Sequence, residues 1–366
     1  MTATRTPPAA AAPATTAGRP RAGHPLRRLR PLALPAALLV VLALLPYSSL
    51  SIPFLLDGPV NSPGSLQLLA LCLVFGALAT GYDLMFGRTG LLSFGHALYI
   101  AGGAYGTQLA MSELGLTLLP AALLTLALGT LTAVILGAIS LRTLALGGVG
   151  FAMVTLAFAQ AGAIFTERNP GGITGGEEGL PLHTDTIPAA LQGVANTAHL
   201  YWLALAYLTL VTAIVWTATH RPAGRLWQAI RDNEPRVSVL GRNPFTHKLA
   251  AFTLASALAV LGGICHLLIT AGATPHTTTP EFTLTLLVMA VLGGSGTRYG
   301  PLVGGILFTY LDQRLAQLNL GIEPMLILGT LFILAVLFKT GRAGRTPGKR
   351  KAPRSPHPEK EGPATS

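Results

Sequence analysis

The sequence predicts an all-α polytopic membrane protein, with about 10 (8–10) transmembrane helices of about 20 residues each and both termini in the cytoplasm. Composition is the first observation behind this prediction. The 366 residues are 51% hydrophobic and 11% charged, with a mean hydropathy of +0.55, whereas a soluble domain carries about a quarter charged residues. The second observation is that apolar runs of membrane length recur along the chain.

Basic residues are concentrated in three blocks that flank apolar runs. Of the 25 Lys and Arg, six lie in residues 1–30, six in Arg221–Lys248 and eight in residues 339–360. Short loops rich in Lys and Arg stay on the cytoplasmic side of a membrane. The net charge of +11 therefore reports membrane topology, and it does not indicate a nucleic-acid partner.

The transmembrane spans follow from the apolar runs. The predicted spans are residues 31–50, 65–85, 91–111, 116–141, 146–165, 200–219, 249–271, 282–292, 302–315 and 324–338. The eighth and ninth are shorter than the about 20 residues that a crossing needs, so they are either half-helices or parts of longer tilted helices. An even number of crossings places both tails on the same, cytoplasmic side.

The chain divides into three parts. Residues 1–30 and 341–366 are predicted to be disordered, basic, cytoplasmic tails, and residues 31–340 form a transmembrane domain. Within that domain, residues 166–199 form an outer loop whose glycines and prolines indicate tight turns, and residues 220–248 form a cytoplasmic loop. Cys72 and Cys265 lie within apolar runs, which favours small core residues over a disulfide.

The cytoplasmic loop contains an amphipathic pattern. Residues at steps of three or four form it: Leu226, Ile230, Asn233, Val237 and Leu240. This spacing places the apolar side chains on one face of a helix, and an amphipathic helix at this position docks on a protein groove, on the membrane surface or on its own neighbours.

Small residues recur at close spacing and indicate a compact helix bundle, because they let helix backbones approach closely in membranes. The candidates for helix packing are Gly95, Gly102, Gly103, Gly106, Gly304 and Gly305. Polar residues inside spans are costly unless they face a partner or a water-filled path. Ser93, His96, Thr155 and Gln160 are therefore candidates for a translocation path, although a structural role is equally open to them.

Two stretches resemble each other in the placement of glycine and arginine. They are residues 86–95 (FGRTGLLSFG), here the first glycine loop, and residues 292–301 (LGGSGTRYGP), here the second glycine loop. Each breaks a helix, either within the bilayer beside a binding site or as a plain hairpin on the inner side.

Several classes of chemistry have no sequence support. The chain has no phosphate-binding G-x4-G-K-[ST] loop, no H-E-x-x-H and no G-x-S-x-G motif. Its nine histidines do not show metal-ligand spacing. We therefore predict neither catalytic residues, nor a metal site, nor a cofactor bound by this chain.

Four blocks of sequence resemble one known family. GYDLMFGRTGLLSFGHALYIAGGAY (81–105), ITGGEEGL (173–180), AIRDNEPRVSVLGRNPFTHKLAAF (229–252) and LVMAVLGGSGTRYGPLVGG (287–305) together are similar to the LivM-like permease subunits of branched-chain amino-acid ABC transporters. The blocks appear in the order of the family and leave mainly the two tails uncovered.

The resemblance implies a bacterial importer in the plasma membrane. In it, two homologous permeases form a heterodimeric pore, two cytoplasmic ATPases use ATP and Mg, and an extracytoplasmic binding protein delivers the substrate. A short cytoplasmic helix of each permease docks on the ATPase, and by its matching motif that helix falls on Leu226–Gly241. The implied coupling residues are Arg225, Leu226, Ile230, Arg231, Asp232, Asn233, Glu234, Val237, Leu240 and Gly241.

One departure from the family and two rival functions stay open. Pro235 stands where relatives carry another helix-forming residue, so the coupling helix is either kinked or begins again at Arg236. The same machine could carry urea, short amides or other small polar solutes instead of branched-chain amino acids. An ion-coupled carrier or channel would show an ionisable residue deep in a span, and the sequence offers no convincing one.

Overall fold

The computed structural model describes residues 38–49, 58–142, 148–193, 196–318, 326–330, 332–334 and 337. The two predicted tails, residues 1–30 and 341–366, lie outside this part of the chain, as do portions of the first and last predicted spans. Residues up to Leu45 form one structural unit and Pro46 onward a second. The first unit is described only where it is helical, from residue 38, and the account below concerns the second.

The described part of the chain is mainly helical. Its helices are α1 (Leu38–Tyr47), α2 (Pro63–Thr89), α3 (His96–Ser112), α4 (Leu118–Arg142), α5 (Gly148–Arg168), α6 (Thr197–His220), α7 (Pro222–Asp232), α8 (Glu234–Val239), α9 (Pro244–Thr270), α10 (Pro280–Gly293) and α11 (Gly300–Leu318). Residues 326–330 and 332–334 are also helical. Two short strands, β1 (Leu180–Pro181) and β2 (Gly272–Ala273), pair antiparallel.

Helices α2 and α9 begin with the same sequence device. Ser62 caps α2 and Asn243 caps α9, each accepting a hydrogen bond from a backbone amide of the first turn, and proline occupies the first helical position of both. Proline is suited to that position because its missing N–H has no intrahelical partner there. Glycine at position 90, with φ +74°, ends α2 in the left-handed conformation.

Helices α2 and α9 also form the centre of the bundle. Helix α2 packs against α6, α9, α10 and α11, and α9 packs against α2, α3 and α4. Their most apolar 18-residue windows are 78% buried, against 17% for α4. The exposed face of α4 is apolar, with Leu119, Leu128 and Ile135 more than half exposed, as expected of a helix that faces lipid.

Five described helices, α2, α4, α5, α6 and α9, are long and apolar enough to cross a membrane. They correspond to the predicted spans 65–85, 116–141, 146–165, 200–219 and 249–271, and α2 and α9 begin before the predicted bounds because polar caps and prolines set their first residues. Helices α10 and α11 cover the predicted spans 282–292 and 302–315, whereas α3 begins only at His96, so the first residues of the predicted span 91–111 are not helical. The protein is thus an all-α polytopic membrane protein, while the count of ten crossings and the side of each terminus remain predictions.

Candidate functional site

The predicted cytoplasmic loop folds as two short helices at one end of the bundle. A tight turn joins α6 to α7: Arg221 has an extended backbone (φ −76°, ψ 165°) and Pro222 starts α7. A β-carbon at Gly224 would collide with the backbone of Thr219, so this turn requires glycine. Because of the turn, α7 folds back against α2, α6 and α9 and does not continue along α6.

Helix α7 is attached to the two central helices through its apolar face. Trp227 is 4% exposed and packs in a cluster with Leu84 of α2 and Ala251 of α9. Its indole Nε1 donates a hydrogen bond of 3.0 Å to the carbonyl oxygen of His247, and Ile230, one turn later, is 3% exposed. Burying two such side chains contributes about 2–3 kcal/mol each, so α7 belongs to the folded core.

The single coupling helix implied for Leu226–Gly241 is interrupted in the structure. Asn233 has an extended backbone (φ −161°, ψ 94°) and ends α7, and its side chain accepts a hydrogen bond of 3.1 Å from the amide of Arg236. Pro235 therefore lies in the first turn of a new helix, where it is tolerated. The helix does begin again, as the presence of Pro235 predicted, but it begins at Glu234, two residues before the expected Arg236.

An ion pair between a buried lysine and an exposed glutamate attaches α8 to α9. The ammonium group of Lys248 lies 2.6 Å from a carboxylate oxygen of Glu234. The Lys248 side chain is 5% exposed and that of Glu234 is 46% exposed. A buried cation without a partner is strongly destabilising, so Glu234 fixes the position of α8 relative to the first turn of α9.

The break at Asn233 changes which apolar residues are accessible. Val237 is 3% exposed, whereas Leu240, predicted on the same face, is 80% exposed. Val239, absent from the predicted set, is 88% exposed. The remaining implied coupling residues are placed as follows: Leu226 is half-buried, Arg225, Asp232 and Gly241 are exposed, and Arg231 donates to the carbonyl oxygen of Gly87.

Three of the four path candidates lie together and are buried. The hydroxyl of Ser93 accepts a hydrogen bond of 3.1 Å from the amide of Gly95, and Thr155 accepts one of 3.1 Å from the amide of Phe94. His96 is 1% exposed, with aromatic rings around it. The bond between Phe94 and Thr155 holds the stretch between α2 and α3 against α5, and the bond between Ser93 and Gly95 is local to that stretch. Gln160, one turn beyond Thr155 on α5, lies apart from them and is exposed.

Comparison with known proteins identifies the family. A family model described as the permease component of the branched-chain amino acid transport system matches residues 64–341, which is most of the described bundle. The chain belongs to this family. The permease is therefore a membrane transport subunit of the ABC type, and a multi-pass protein that in bacteria lies in the inner membrane.

Individual relatives of the permease agree with this assignment. The high-affinity branched-chain amino acid transport system permease protein LivM of Salmonella typhimurium is 27% identical over 303 residues, covering 76% of this chain and 69% of the relative. LivM of Escherichia coli is 28% identical with the same coverage. The autoinducer 2 import system permease protein LsrC of Photorhabdus laumondii is 28% identical over 45% of this chain and 50% of its own. No solved structure matches the chain.

The small residues of the permease lie mainly at helix crossings. A β-carbon at Gly103 would collide with the backbone of Val260, one at Gly304 with that of Met289, and one at Gly305 would lie 2.7 Å from the α-carbon of Gly76. A β-carbon at Gly95 would lie 3.0 Å from the carbonyl oxygen of Thr155, and one at Gly106 would lie 2.9 Å from the methyl carbon of Thr125. Gly102 differs, because a β-carbon there meets nothing within 4 Å.

At the opposite end of the permease, a buried glutamine, Gln108, holds the predicted outer loop. The side-chain nitrogen of Gln108 donates a hydrogen bond of 2.7 Å to the carbonyl oxygen of Pro181. Its side-chain oxygen accepts a hydrogen bond of 3.1 Å from the backbone amide of His183. Strand β1 pairs with β2 at this point. Gln108, although buried, is thus fully engaged in fixing the loop that follows α5.

The permease has no apparent metal centre in the part of the chain that the structure describes. Among those residues, no group of three or more His, Cys, Asp or Glu could hold a metal ion. Cys72 and Cys265 are free and buried. The exposed apolar residue that sequence reasoning missed is Val239. Its exposure can be recognised only once the helix break at Asn233 is known.

Proposed function

We propose that this permease forms a translocation path for branched-chain or related amino acids in an importer that a separate ATPase drives by docking on residues 220–248. The end of the bundle that carries α7 and α8 is then cytoplasmic, and the end with Gln108 faces outward. The chain itself binds no cofactor, since ATP and Mg are used by the ATPase.

The exposed apolar pair at the end of α8, the last helical residue Val239 and the capping residue Leu240, carries the docking proposal. Val239 and Leu240 are 88% and 80% exposed, while the neighbouring Val237 is buried. Fully burying one such side chain contributes about 1.5–3 kcal/mol, so two adjacent ones on a rigidly held helix provide an anchor for a groove in a partner.

The attachment of α8 to the bundle supports the same proposal. The ion pair between Glu234 and Lys248, together with the packing of Trp227, joins the segment to α9 and α2. A partner that moves α8 would therefore move the two central helices. Movement of packed helices between two arrangements is how transporters alternate access.

The relatives support an amino-acid cargo. The LivM proteins, named for branched-chain amino acid transport, cover about three quarters of this chain, whereas the LsrC proteins, named for autoinducer 2 import, cover about half. A path that accepts another small polar solute, such as autoinducer 2, urea or a short amide, is the second candidate, and the partial match to LsrC favours it as an alternative.

A second, homologous permease is the proposed partner within the membrane, and an extracytoplasmic binding protein is the proposed source of substrate. The exposed face of α5 supports a membrane partner. It combines Gln160 with apolar Val149, Met153 and Ile164. A glutamine side chain is poorly solvated by lipid and hydrogen-bonds across helices, so we propose that this face contacts the second permease, in a heterodimer.

Co-purification tests the docking proposal. The tagged permease is co-expressed with its ATPase, either unchanged or with Val239→Asp and Leu240→Asp together. Ile230 and Val237 are unsuitable targets because both are buried within the permease itself. We expect the amount of ATPase that co-purifies with the variant to fall about tenfold or more, because side chains at the centre of an interface contribute about 2 kcal/mol or more each to binding.

The matched control introduces the same two charges at the opposite end, as Ala189→Asp and Ala190→Asp, where both residues are exposed. This control retains the ATPase at the level of the unchanged permease. Equal retention by the α8 variant would refute docking through α8 and assign its apolar pair to the membrane surface.

An uptake assay tests the cargo. Proteoliposomes that contain the permease, its partner permease, the ATPase and the binding protein are supplied with labelled leucine, isoleucine or valine. We expect ATP-dependent uptake of these, with an excess of unlabelled urea or acetamide having no effect. Inhibition by the amides, with weak uptake of leucine, would instead assign the path to the second candidate class.

A further inference from the structure

The two glycine loops, 200 residues apart in sequence, meet at the end of the bundle that carries α7 and α8. The amide of Gly296 in the second loop donates to both carboxylate oxygens of Asp83 in α2, at 2.9 and 3.1 Å. Gly296 has φ +75°, and a β-carbon there would lie 3.1 Å from the carbonyl oxygen of Gly87 in the first loop. Glycine is therefore required for this backbone contact.

Arg231 of α7 lies at this contact, beside Gly87 in the last turn of α2 and beside Gly296 of the second glycine loop. Its guanidinium donates to the carbonyl oxygen of Gly87. Its Cγ atom lies 3.2 Å from the position of a β-carbon on Gly90, and its Nη1 atom lies 3.2 Å from that position on Gly296. Any side chain at Gly90 or Gly296 would displace the arginine. The two glycines therefore leave the space that the Arg231 side chain occupies.

The second glycine loop also contacts α6. The guanidinium carbon of Arg298 lies 5.7 Å from the centre of the Trp216 ring, which is within the range of a cation–π interaction. The loop itself connects α10 to α11, and α11 packs along α2. A displacement of the loop would therefore reach α2, α6, α10 and α11 together.

Arg231 is dispensable for attaching α7 to the bundle. The buried Trp227 and Ile230 already hold that helix. Without Arg231, we expect α7 to keep its place against α2 and α9 but to lose its hydrogen bond to Gly87 and the guanidinium group beside Gly296. A role in transmitting movement is thus separable from a role in folding.

We infer that Arg231 is the positioning residue through which movement of α7 and α8 reaches the second glycine loop, and that the contact between Asp83 and Gly296 passes it on to α2. The inference rests on the proposed function, because it requires an ATPase that moves α8. It assigns a separate place for coupling, distinct from the Val239–Leu240 docking surface.

The experiment measures transport and ATP hydrolysis in the same proteoliposomes, with the complete complex of permeases, ATPase and binding protein. Arg231→Gln removes the charge and shortens the donor. Arg142→Gln, the same chemical change at the exposed last residue of α4, is the control. We expect Arg231→Gln to keep the bound ATPase and its hydrolysis while substrate transported per ATP falls about fivefold or more, and the control to match the unchanged complex.

A second pair of variants tests the continuation to α2. Asp83→Asn keeps an oxygen that accepts from Gly296, whereas Asp83→Ala keeps none. We expect the asparagine variant to transport more substrate per ATP than the alanine variant when both complexes retain the same amount of ATPase. Equal ratios in these two variants would overturn the role of Asp83.

Three further outcomes decide the inference. A normal transport ratio in Arg231→Gln, beside a working unchanged complex, overturns the inference alone. Loss of the ATPase from Arg231→Gln also overturns it and assigns Arg231 to the docking surface. Absence of the ATPase from the unchanged complex overturns the proposed function, and the inference with it.

Discussion

The α-carbon of Gly263 in α9 lies directly against the backbone carbonyl of Ile100 in α3, without space for a β-carbon between them. Gly103 of α3 faces the backbone of Val260 in the same way. At this crossing, each helix thus places a glycine against the backbone of the other helix. Such close approach brings many backbone atoms into van der Waals contact, which is a main source of helix association in membranes.

Replacement of Gly263 by alanine is expected to destabilise the permease. The added methyl group overlaps the Ile100 carbonyl, and overpacking of this kind costs about 1–3 kcal/mol. Thermal unfolding of the purified permease in detergent should show a midpoint lower by about 3 °C or more. Gly102→Ala on α3 is the control, since open space surrounds that position. An unchanged midpoint for Gly263→Ala would contradict the crossing.

The ion pair between Glu234 and Lys248 predicts that replacing Glu234 destabilises the permease more than replacing Lys248 does. Glu234→Gln leaves the buried ammonium of Lys248 without its anion and is expected to cost about 1–2 kcal/mol, less than a fully buried pair because Glu234 is half exposed. Lys248→Met leaves only an exposed carboxylate and should be nearly neutral. The double variant should recover the stability of Lys248→Met.

The unfolding midpoints of the three variants measure this asymmetry in one experiment. Additive losses in the double variant would show that the two residues do not interact, since independent sites add. A greater loss for Lys248→Met than for Glu234→Gln would likewise contradict a pair whose strength depends on the buried cation.

Gln108 predicts a local change at the outer loop. Gln108→Leu removes two hydrogen bonds of about 0.5–1.5 kcal/mol each, so the loop should open about tenfold more often. Hydrogen exchange followed by mass spectrometry should accelerate by that factor in peptides covering residues 180–187, where exchange reports local opening. Ser112→Ala, at an exposed hydroxyl of the same helix, should leave these rates unchanged. Uniform acceleration over the whole chain would indicate global destabilisation instead.

The exposed face of α5 predicts cross-linking to the second permease. In a variant with Cys72 and Cys265 replaced by alanine, a cysteine at Met153 or Gln160 should form disulfides with cysteines placed along the spans of the partner. A cysteine at Leu128, on the apolar exposed face of α4, should form none. Equal cross-linking from both helices would deny α5 a specific interface.

The helices that sequence predicted best are those with strong local signals. The span 249–271 was predicted from its long apolar run alone, and only its start was missed, because Asn243 and Pro244, which begin α9, precede that run. Pro235 predicted that the coupling helix is kinked or begins again at Arg236, and the helix does begin again, at Glu234. The position was missed because Asn233 continues the three-or-four spacing of the apolar residues, so periodicity alone could not show that the first helix ends there.

The candidate site depended on contacts that are distant in sequence. Ser93, Thr155 and Gln160 look alike as polar residues within apolar runs, yet folding brings the first two together and leaves Gln160 exposed. Likewise the similarity of the glycine loops was visible in the sequence, but the space they leave for Arg231 requires three separate elements. Pairings across 60 to 200 residues are set by tertiary packing, which single-sequence patterns do not contain.

The attachment of the coupling segment to the start of α9 has a consequence for biosynthesis. Trp227 donates to the carbonyl of His247, and Glu234 pairs with Lys248, so both partners are made by the ribosome after the segment itself. A nascent chain that has not yet delivered α9 lacks these two contacts of α7 and α8. The surface for a cytoplasmic partner is therefore completed only after α9 emerges from the ribosome. We expect the partner to bind only after this helix has been synthesised.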